Sequence, residues 1–331
     1  MTRDAGQSRA ELTDRFGRTI DYVRIAVTSA CNLRCTYCLK DEAPEAIRQL
    51  ATANAAQLIA LFGGMGVRKI RFTGGEPLLH PRIAELVRIA KTTPGIDTIR
   101  LTTNGVLLDR QLEALVEAGL DGVNLSLDTL DRDKFLSITR RDRFEQVRKA
   151  LDRLLATPGL TVKINTLMLR GINSDEIPAF VELTRNHDVT VRFMELQPFD
   201  DSQIWRTGRF MGAEMIRERL VVAYPELEAV TGHSTEHYSF RLPGHRSSIA
   251  IIPAFSRNFC SSCSKLRITA DAKLIGCLYH HESIDLAPAL KGEMNEEEIK
   301  QRIVEAVQQK PKDGLKSSHD TAASSMSRIG G

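Results

Sequence analysis

The chain has 331 residues, 42% hydrophobic and 26% charged, the balance of a folded globular protein with a sizeable core and not of a disordered one. Lys and Arg total 45 against 42 Asp and Glu, a net charge of +3, so nothing global points to nucleic acid, and no apolar run approaches the roughly 20 residues of a membrane span. The polar start MTRDAGQSRAELTDR lacks the apolar stretch of a signal peptide; the expected compartment is the cytoplasm, where clustered thiols more often hold metal than form disulfides.

Positions 1–20 read as a lead-in with little to bury. DYVRIAVT (21–28) reads as a strand that delivers the chain to CNLRCTYC, with Cys31, Cys35 and Cys38. Strands are then expected at 68–73, 97–103, 122–128, 161–169 and 190–196, separated by helices at 52–66, 79–92, 109–118, 142–156 and 175–187. This alternation predicts a parallel α/β architecture, most economically a partial or complete barrel. GGEP (74–77), TTNG (102–105) and SLD (126–128) fall at strand ends, where ligand sites of such folds gather. After about residue 200 the alternation stops. A helix at 211–221 and strand-like pieces at 236–242 and 248–252 lead to FCSSCSKLRITADAKLIGCL, with Cys260, Cys263 and Cys277. A charged helix (296–310) precedes a Ser/Ala-rich tail ending IGG. The expected division is a lead-in 1–20, a core 21–235 and a C-terminal domain 236–331.

Each thiol set has three members. A structural zinc site wants four protein ligands, and CNLRCTYC has no fourth nearby. A four-iron cluster held by three thiolates keeps one iron open to another ligand. The second set admits a competitor, because Cys260, Cys263, Cys277 and His280 make a passable Cys3His zinc pattern, with His281 adjacent. Basic residues also lie inside the strands: Arg24, Lys69, Arg71, Lys163 and Arg192. They fit either a solvated strand face with snorkelling side chains or a cavity that binds a polyanion, for which a triphosphate is a natural occupant. Gly74, Gly75 and Glu76 fit an ordinary turn or a ligand loop, and Thr102 and Ser126 fit caps or ligand hydroxyls on neighbouring strand ends.

CNLRCTYC, with Tyr37 before its last cysteine, resembles the cluster motif of the radical S-adenosylmethionine superfamily. Together with RFTGGEPLL, LTTNG, VNLSLDTLD, the second cysteine set with RITAD, and the terminal IGG, it resembles the GTP 3',8-cyclase family of molybdenum cofactor biosynthesis, over a stretch from about residue 15 to the end. The resemblance implies an α/β fold with an incomplete (β/α)6 TIM-like barrel and a C-terminal extension carrying a second iron–sulfur cluster, and two [4Fe-4S] clusters and S-adenosyl-L-methionine as cofactors. Cys31, Cys35 and Cys38 would hold the first cluster, and Cys260, Cys263 and Cys277 the second, whose vacant iron would orient the guanine. Tyr37, Gly74, Gly75, Glu76, Thr102 and Ser126 would meet S-adenosylmethionine. Arg24, Lys69, Arg71, Lys163, Arg192, Lys265 and Arg267 would surround GTP, with Arg24, Arg71, Arg267, Gly330 and Gly331 in catalytic roles. The implied reaction is abstraction of H-3' of GTP by a 5'-deoxyadenosyl radical, leading to (8S)-3',8-cyclo-7,8-dihydroguanosine 5'-triphosphate. The implied partners are a reductase such as flavodoxin or ferredoxin, a downstream cyclic pyranopterin monophosphate synthase and a second copy of the chain. Two rivals stay open: a radical enzyme using its second cluster on another nucleotide or a peptide, and a zinc-stapled nucleotide-binding protein.

Overall fold

The computed structural model describes residues 11–38, 46–197, 208–230, 237–256, 260–279 and 282–314. The first half runs β1 (Tyr22–Ala26), α1 (Thr52–Gly64), β2 (Lys69–Thr73), α2 (Ile83–Thr92), β3 (Thr98–Thr103), α3 (Leu108–Glu117), β4 (Gly122–Ser126), α4 (Arg132–Thr139), α5 (Phe144–Ala156), β5 (Thr161–Leu167), α6 (Ile177–Asn186) and β6 (Val189–Met194). The second half supplies α7 (Ala213–Ala223), β7 (Glu228–Val230), β8 (Tyr238–Arg241), β9 (Ile249–Ile252), β10 (Lys265–Ile268), β11 (Lys273–Ile275), β12 (Ser283–Asp285), α8 (Ala287–Leu290) and α9 (Glu296–Gln308).

The twelve strands among the described residues join one sheet in the order β12-β11-β10-β1-β2-β3-β4-β5-β6-β9-β8-β7. Strands β1 to β6 are parallel neighbours in sequence order, as helical crossovers require. The later strands extend both sides: β10 pairs parallel with β1 and β9 parallel with β6. The expected boundary at 235 therefore falls inside one sheet, since β7 and β8 pair as an antiparallel hairpin across it.

Strand alternation sorts the residues into two faces. Val23, Ile25, Ile70, Phe72, Ile99, Leu101, Val123, Leu125, Ile164, Val191 and Phe193 are buried in the same apolar core as the helices. Helix α2 shows the matching pattern, burying Ile83, Leu86, Val87 and Ala90 at helical spacing. The opposite sheet face carries the polar and basic side chains taken up below.

One expectation needs correction, and one element is new. Residues 11–20 are not a lead-in with little to bury: Leu12 and Ile20 belong to the core, and Asp14 and Arg18 form a buried ion pair at 2.5 Å. The stretch 129–141, to which no element was assigned from sequence, also carries local structure. It contains α4, whose first turn is capped by Asp131 accepting from Lys134 N at 2.9 Å, and which ends at Arg140 in the left-handed region with φ 56°.

Candidate active site

The first thiol set lies in the loop that leaves the C-terminal end of β1. Loops from the neighbouring strands shape it. Gly75 N donates to Thr28 O and Glu76 N to Ala30 O, both at 2.7 Å, so the segment after β2 runs hard against the residues before Cys31. A Cβ at Gly74 would lie 2.2 Å from Thr28 O, and one at Gly75 would lie 2.2 Å from Ala30 O. Only glycine fits here, and Gly74 also has φ +150°. The far side is fixed to α4, with Arg34 N donating to Thr139 O and Thr36 N to Ile138 O at 2.9 Å.

Glu76 is fully enclosed. Its carboxylate accepts from Leu78 N at 3.0 Å, Thr103 Oγ1 at 2.7 Å and Asn104 N at 2.7 Å, which clamps the loop after β2 to the loop after β3. Burial pushes its carboxyl up to about 7 against those three donors. The Glu76 side chain thereby holds the glycine loop in place. Asn104 then reaches Cys31, with Nδ2 at 3.8 Å from Sγ, and donates to Asn32 Oδ1 at 2.8 Å. Tyr37 donates its hydroxyl to Asp128 Oδ2 at 2.5 Å, fastening the cysteine loop to the end of β4. Sequence reading missed Asn104 and Asp128, although TTNG and SLD contain them.

The donor set suits a cationic group. Burial pushes the Cys35 thiol well up, and neighbouring Asp128, Cys38 and Cys31 add to the shift. Burial also raises the Cys31 thiol, and thiols that resist ionisation become thiolates when a metal centre supplies the opposing charge. Among the described residues no three His, Cys, Asp or Glu close around a single metal ion; an iron–sulfur cluster asks each thiolate for its own iron.

The second set sits at the other end of β1. Cys260 and Cys263 precede β10, whose Lys265 is in register with Tyr22 at the start of β1, and Cys277 follows β11. Residues 310–314 close over it. Gly314 N donates to Cys260 Sγ at 3.2 Å, and a Cβ at 314 would lie 2.6 Å from Cys277 Sγ. Buried Lys310 places Nζ 3.9 Å from Cys263 Sγ and donates to Lys265 O at 2.8 Å and Gly276 O at 2.5 Å. Arg18 ties the N-terminal segment to this set through Cys260 O at 2.5 Å and Pro311 O at 2.9 Å. Neither Arg18 nor Lys310 stands out in the sequence, because the partners they find at this set lie 34 to 293 residues away. His280, His281, Gly330 and Gly331 lie outside the described residues.

Between the two sets lies the basic face. Arg267, Arg24, Arg71 and Arg100 are register partners on β10, β1, β2 and β3. Lys265, Tyr22 and Lys69 form the next row. Tyr22 is packed under these cations, with Arg24, Lys69 and Arg71 at 5.7, 4.7 and 5.3 Å from its ring. Burial opposes its ionisation, but Arg24, Arg71, Lys69 and Lys265 outweigh it and bring the phenol down to about 7. With its amide oxygen turned toward the guanidinium groups, Asn124 accepts from Arg71 Nη1 at 2.9 Å and Arg192 Nη2 at 2.8 Å. Lys163 falls to about 8 through burial, with Arg192, Arg100, Lys69 and Arg71 adding repulsion. So many cations on one enclosed face call for a polyanion. All seven expected GTP-contacting residues are in this region, and Thr102 and Ser126 share the face nearer the first thiol set, one register step from Asn124 and Asn165. Tyr22, Arg100, Asn124 and Asn165 were missed, yet each sits at even spacing from a predicted residue.

Residues 25–184 match the family model of the radical SAM superfamily, and residues 189–315 match that of Molybdenum Cofactor Synthesis C. The chain is 86% identical over 331 residues to the GTP 3',8-cyclase of Chlorobaculum tepidum, covering 100% of both chains. It is 36% identical over 326 residues to the mitochondrial GTP 3',8-cyclase of Arabidopsis thaliana, covering 97% of this chain and 83% of that one. Among solved structures, Streptococcus suis SuiB bound to S-adenosylmethionine superposes with a TM-score of 0.61 at 14% identity, over 83% of this chain and 64% of that one, a likeness of fold. The two cysteine sets, the basic face between them and these full-length relatives agree, and the chain belongs to the GTP 3',8-cyclase family of radical SAM proteins.

Proposed function

We propose that this protein is a GTP 3',8-cyclase that forms (8S)-3',8-cyclo-7,8-dihydroguanosine 5'-triphosphate, the first step of molybdopterin biosynthesis. One observation carries the reading: the arginine row crosses β1 between two three-thiol sets placed at the strand's opposite ends. Five residues of strand span roughly 16 Å, room for a nucleotide between two cofactors.

Cys31, Cys35 and Cys38 would hold one [4Fe-4S] cluster with an open iron for S-adenosylmethionine, and Cys260, Cys263 and Cys277 the other. When bound, these cofactors supply a 5'-deoxyadenosyl radical able to take hydrogen from C3' of GTP so that C3' can bond to C8. The chain's own part is positioning. Gly74 and Gly75 give backbone access beside the first set, and Thr102, Ser126 and Tyr37 frame the S-adenosylmethionine side. Arg24, Lys69, Arg71, Lys163 and Arg192 neutralise the triphosphate, while Lys265 and Arg267 hold the nucleoside toward the second set. Gly330 and Gly331 are assigned a supporting role in catalysis.

In this reading β1–β6 curve as an incomplete barrel with the cations inside. The core over 21–235 binds S-adenosylmethionine, and the part over 236–331 brings the second cluster. A flavodoxin or ferredoxin reductase would supply electrons, a cyclic pyranopterin monophosphate synthase would take the product, and the chain would work in the cytoplasm as a homodimer. Among the described residues no helix is long and apolar enough to cross a membrane. The test is an anaerobic preparation analysed for iron and nucleotide binding. About eight irons per chain and tight GTP binding support the reading, whereas about four irons with one zinc would remove the second cluster from it.

A further inference from the structure

Arg100 was invisible to the sequence reading and is placed where the substrate should end. It continues the row that runs from Arg267 through Arg24 and Arg71. Its Nη1 is buried and has no hydrogen-bond acceptor among the described residues. The nearby carboxylate, Asp121, is committed elsewhere, to Lys91 Nζ and Ile99 N, both at 2.7 Å. The register partner on β4 is Gly122, and a Cβ there would lie 2.1 Å from Arg100 Nη1. The missing side chain at 122 is what lets this guanidinium lie on the basic face. Both Lys69 and Lys163 sense its charge.

The row also has a direction. Arg267 is at the end that senses Cys263 and Cys277, and Arg100 stands three strand spacings away, roughly 14 Å, the scale of an extended nucleoside triphosphate. If the base is held at the second thiol set, the phosphate most distant from it arrives at Arg100. A buried guanidinium nitrogen lacking an acceptor is an unmet demand for an anion.

We propose that Arg100 binds the terminal phosphate of the substrate and makes this site select a nucleoside triphosphate over a diphosphate. The proposal rests on GTP being the substrate. It is tested by equilibrium binding of GTP and GDP to the anaerobically prepared full chain, as wild type, Arg100→Ala, Arg100→Lys and Arg71→Ala. Wild type should prefer GTP to GDP by about tenfold or more, the worth of one charge-assisted contact. Arg100→Ala should abolish that preference by weakening GTP while leaving GDP within about twofold. Arg100→Lys, which keeps the charge and loses the planar fork, should fall between them, and Arg71→Ala should weaken both nucleotides. Equal affinities for GTP and GDP in wild type, or a preference that survives Arg100→Ala, overturn the role of Arg100 and leave the substrate intact. A wild-type protein that binds neither nucleotide overturns the substrate reading itself.

Discussion

Replacing Asn124 by aspartate should separate stability from substrate affinity in opposite directions. The Asn124 oxygen already accepts from Arg71 and Arg192 at 2.8 to 2.9 Å, so a carboxylate there would neutralise part of a crowded cationic face without changing its shape. At 4 Å and an effective dielectric of 20, one ion pair is worth about 4 kcal/mol. Desolvation of the new charge removes much of that, leaving a net gain of about 1–2 kcal/mol in the ligand-free protein. A bound phosphate roughly 7 Å away would meet the same carboxylate as a repulsion of about 2 kcal/mol, which is about a 30-fold loss in affinity. Thermal unfolding without nucleotide and anaerobic GTP binding measure the two effects. A higher melting temperature with at least tenfold weaker GTP is expected. Unchanged GTP affinity in a folded variant would refute the assignment of these cations to phosphate.

Gly75→Ala would set a Cβ 2.2 Å from Ala30 O, forcing the Cys31 loop outward, and iron per chain should fall by about half while the second set stays loaded. Lys310→Met removes the buried ammonium that joins Cys263, Lys265 and Gly276; it should lower iron at the second set only, resolved by electron paramagnetic resonance of the reduced protein. Lys163 loses its proton near pH 8 in the free protein because burial and neighbouring cations disfavour the charge. Phosphate binding needs the charged form, so GTP affinity should be highest below that pH and fall by up to about tenfold per unit above it. In Lys163→Met the affinity should be weaker and the decline shallower, leaving only the part that follows ionisation of Tyr22 from about pH 7. A decline of the same steepness in the variant would remove Lys163 as its cause.

The parallel core was legible because each crossover helix and strand carries its own period, and the expected strands agree with β1 to β6 to within a few residues. Both cysteine sets were legible from spacing. What escaped depends on pairing between distant segments. KLRIT reads as a strand, but nothing local says that β10 lies beside β1 and carries Arg267 into register with Arg24. The N-terminal segment looked empty because Leu12 and Ile20 join the common core and Arg18 finds Cys260 O and Pro311 O near the far end of the chain, none of which the local sequence reveals. Arg100 was available in DTIRLTT, where alternation sets it on the same face as Thr102 and opposite Ile99 and Leu101; alternation alone does not say which of those faces meets the site. Glu76 is a similar case. The motif drew notice, but that its carboxylate clamps two loops through three donors depends on the loop after β3, which the local sequence does not reveal.

The central claim is that two cofactor sites enclose one nucleotide so that the ribose carbon, and no other position, gives up hydrogen. The most direct measurement incubates the reduced, anaerobic protein with S-adenosylmethionine and GTP deuterated at C3', then analyses both products by mass spectrometry. The account predicts deuterium in 5'-deoxyadenosine and a matching amount of the 3',8-cyclised nucleotide. Unlabelled 5'-deoxyadenosine with GTP returned unchanged would contradict it.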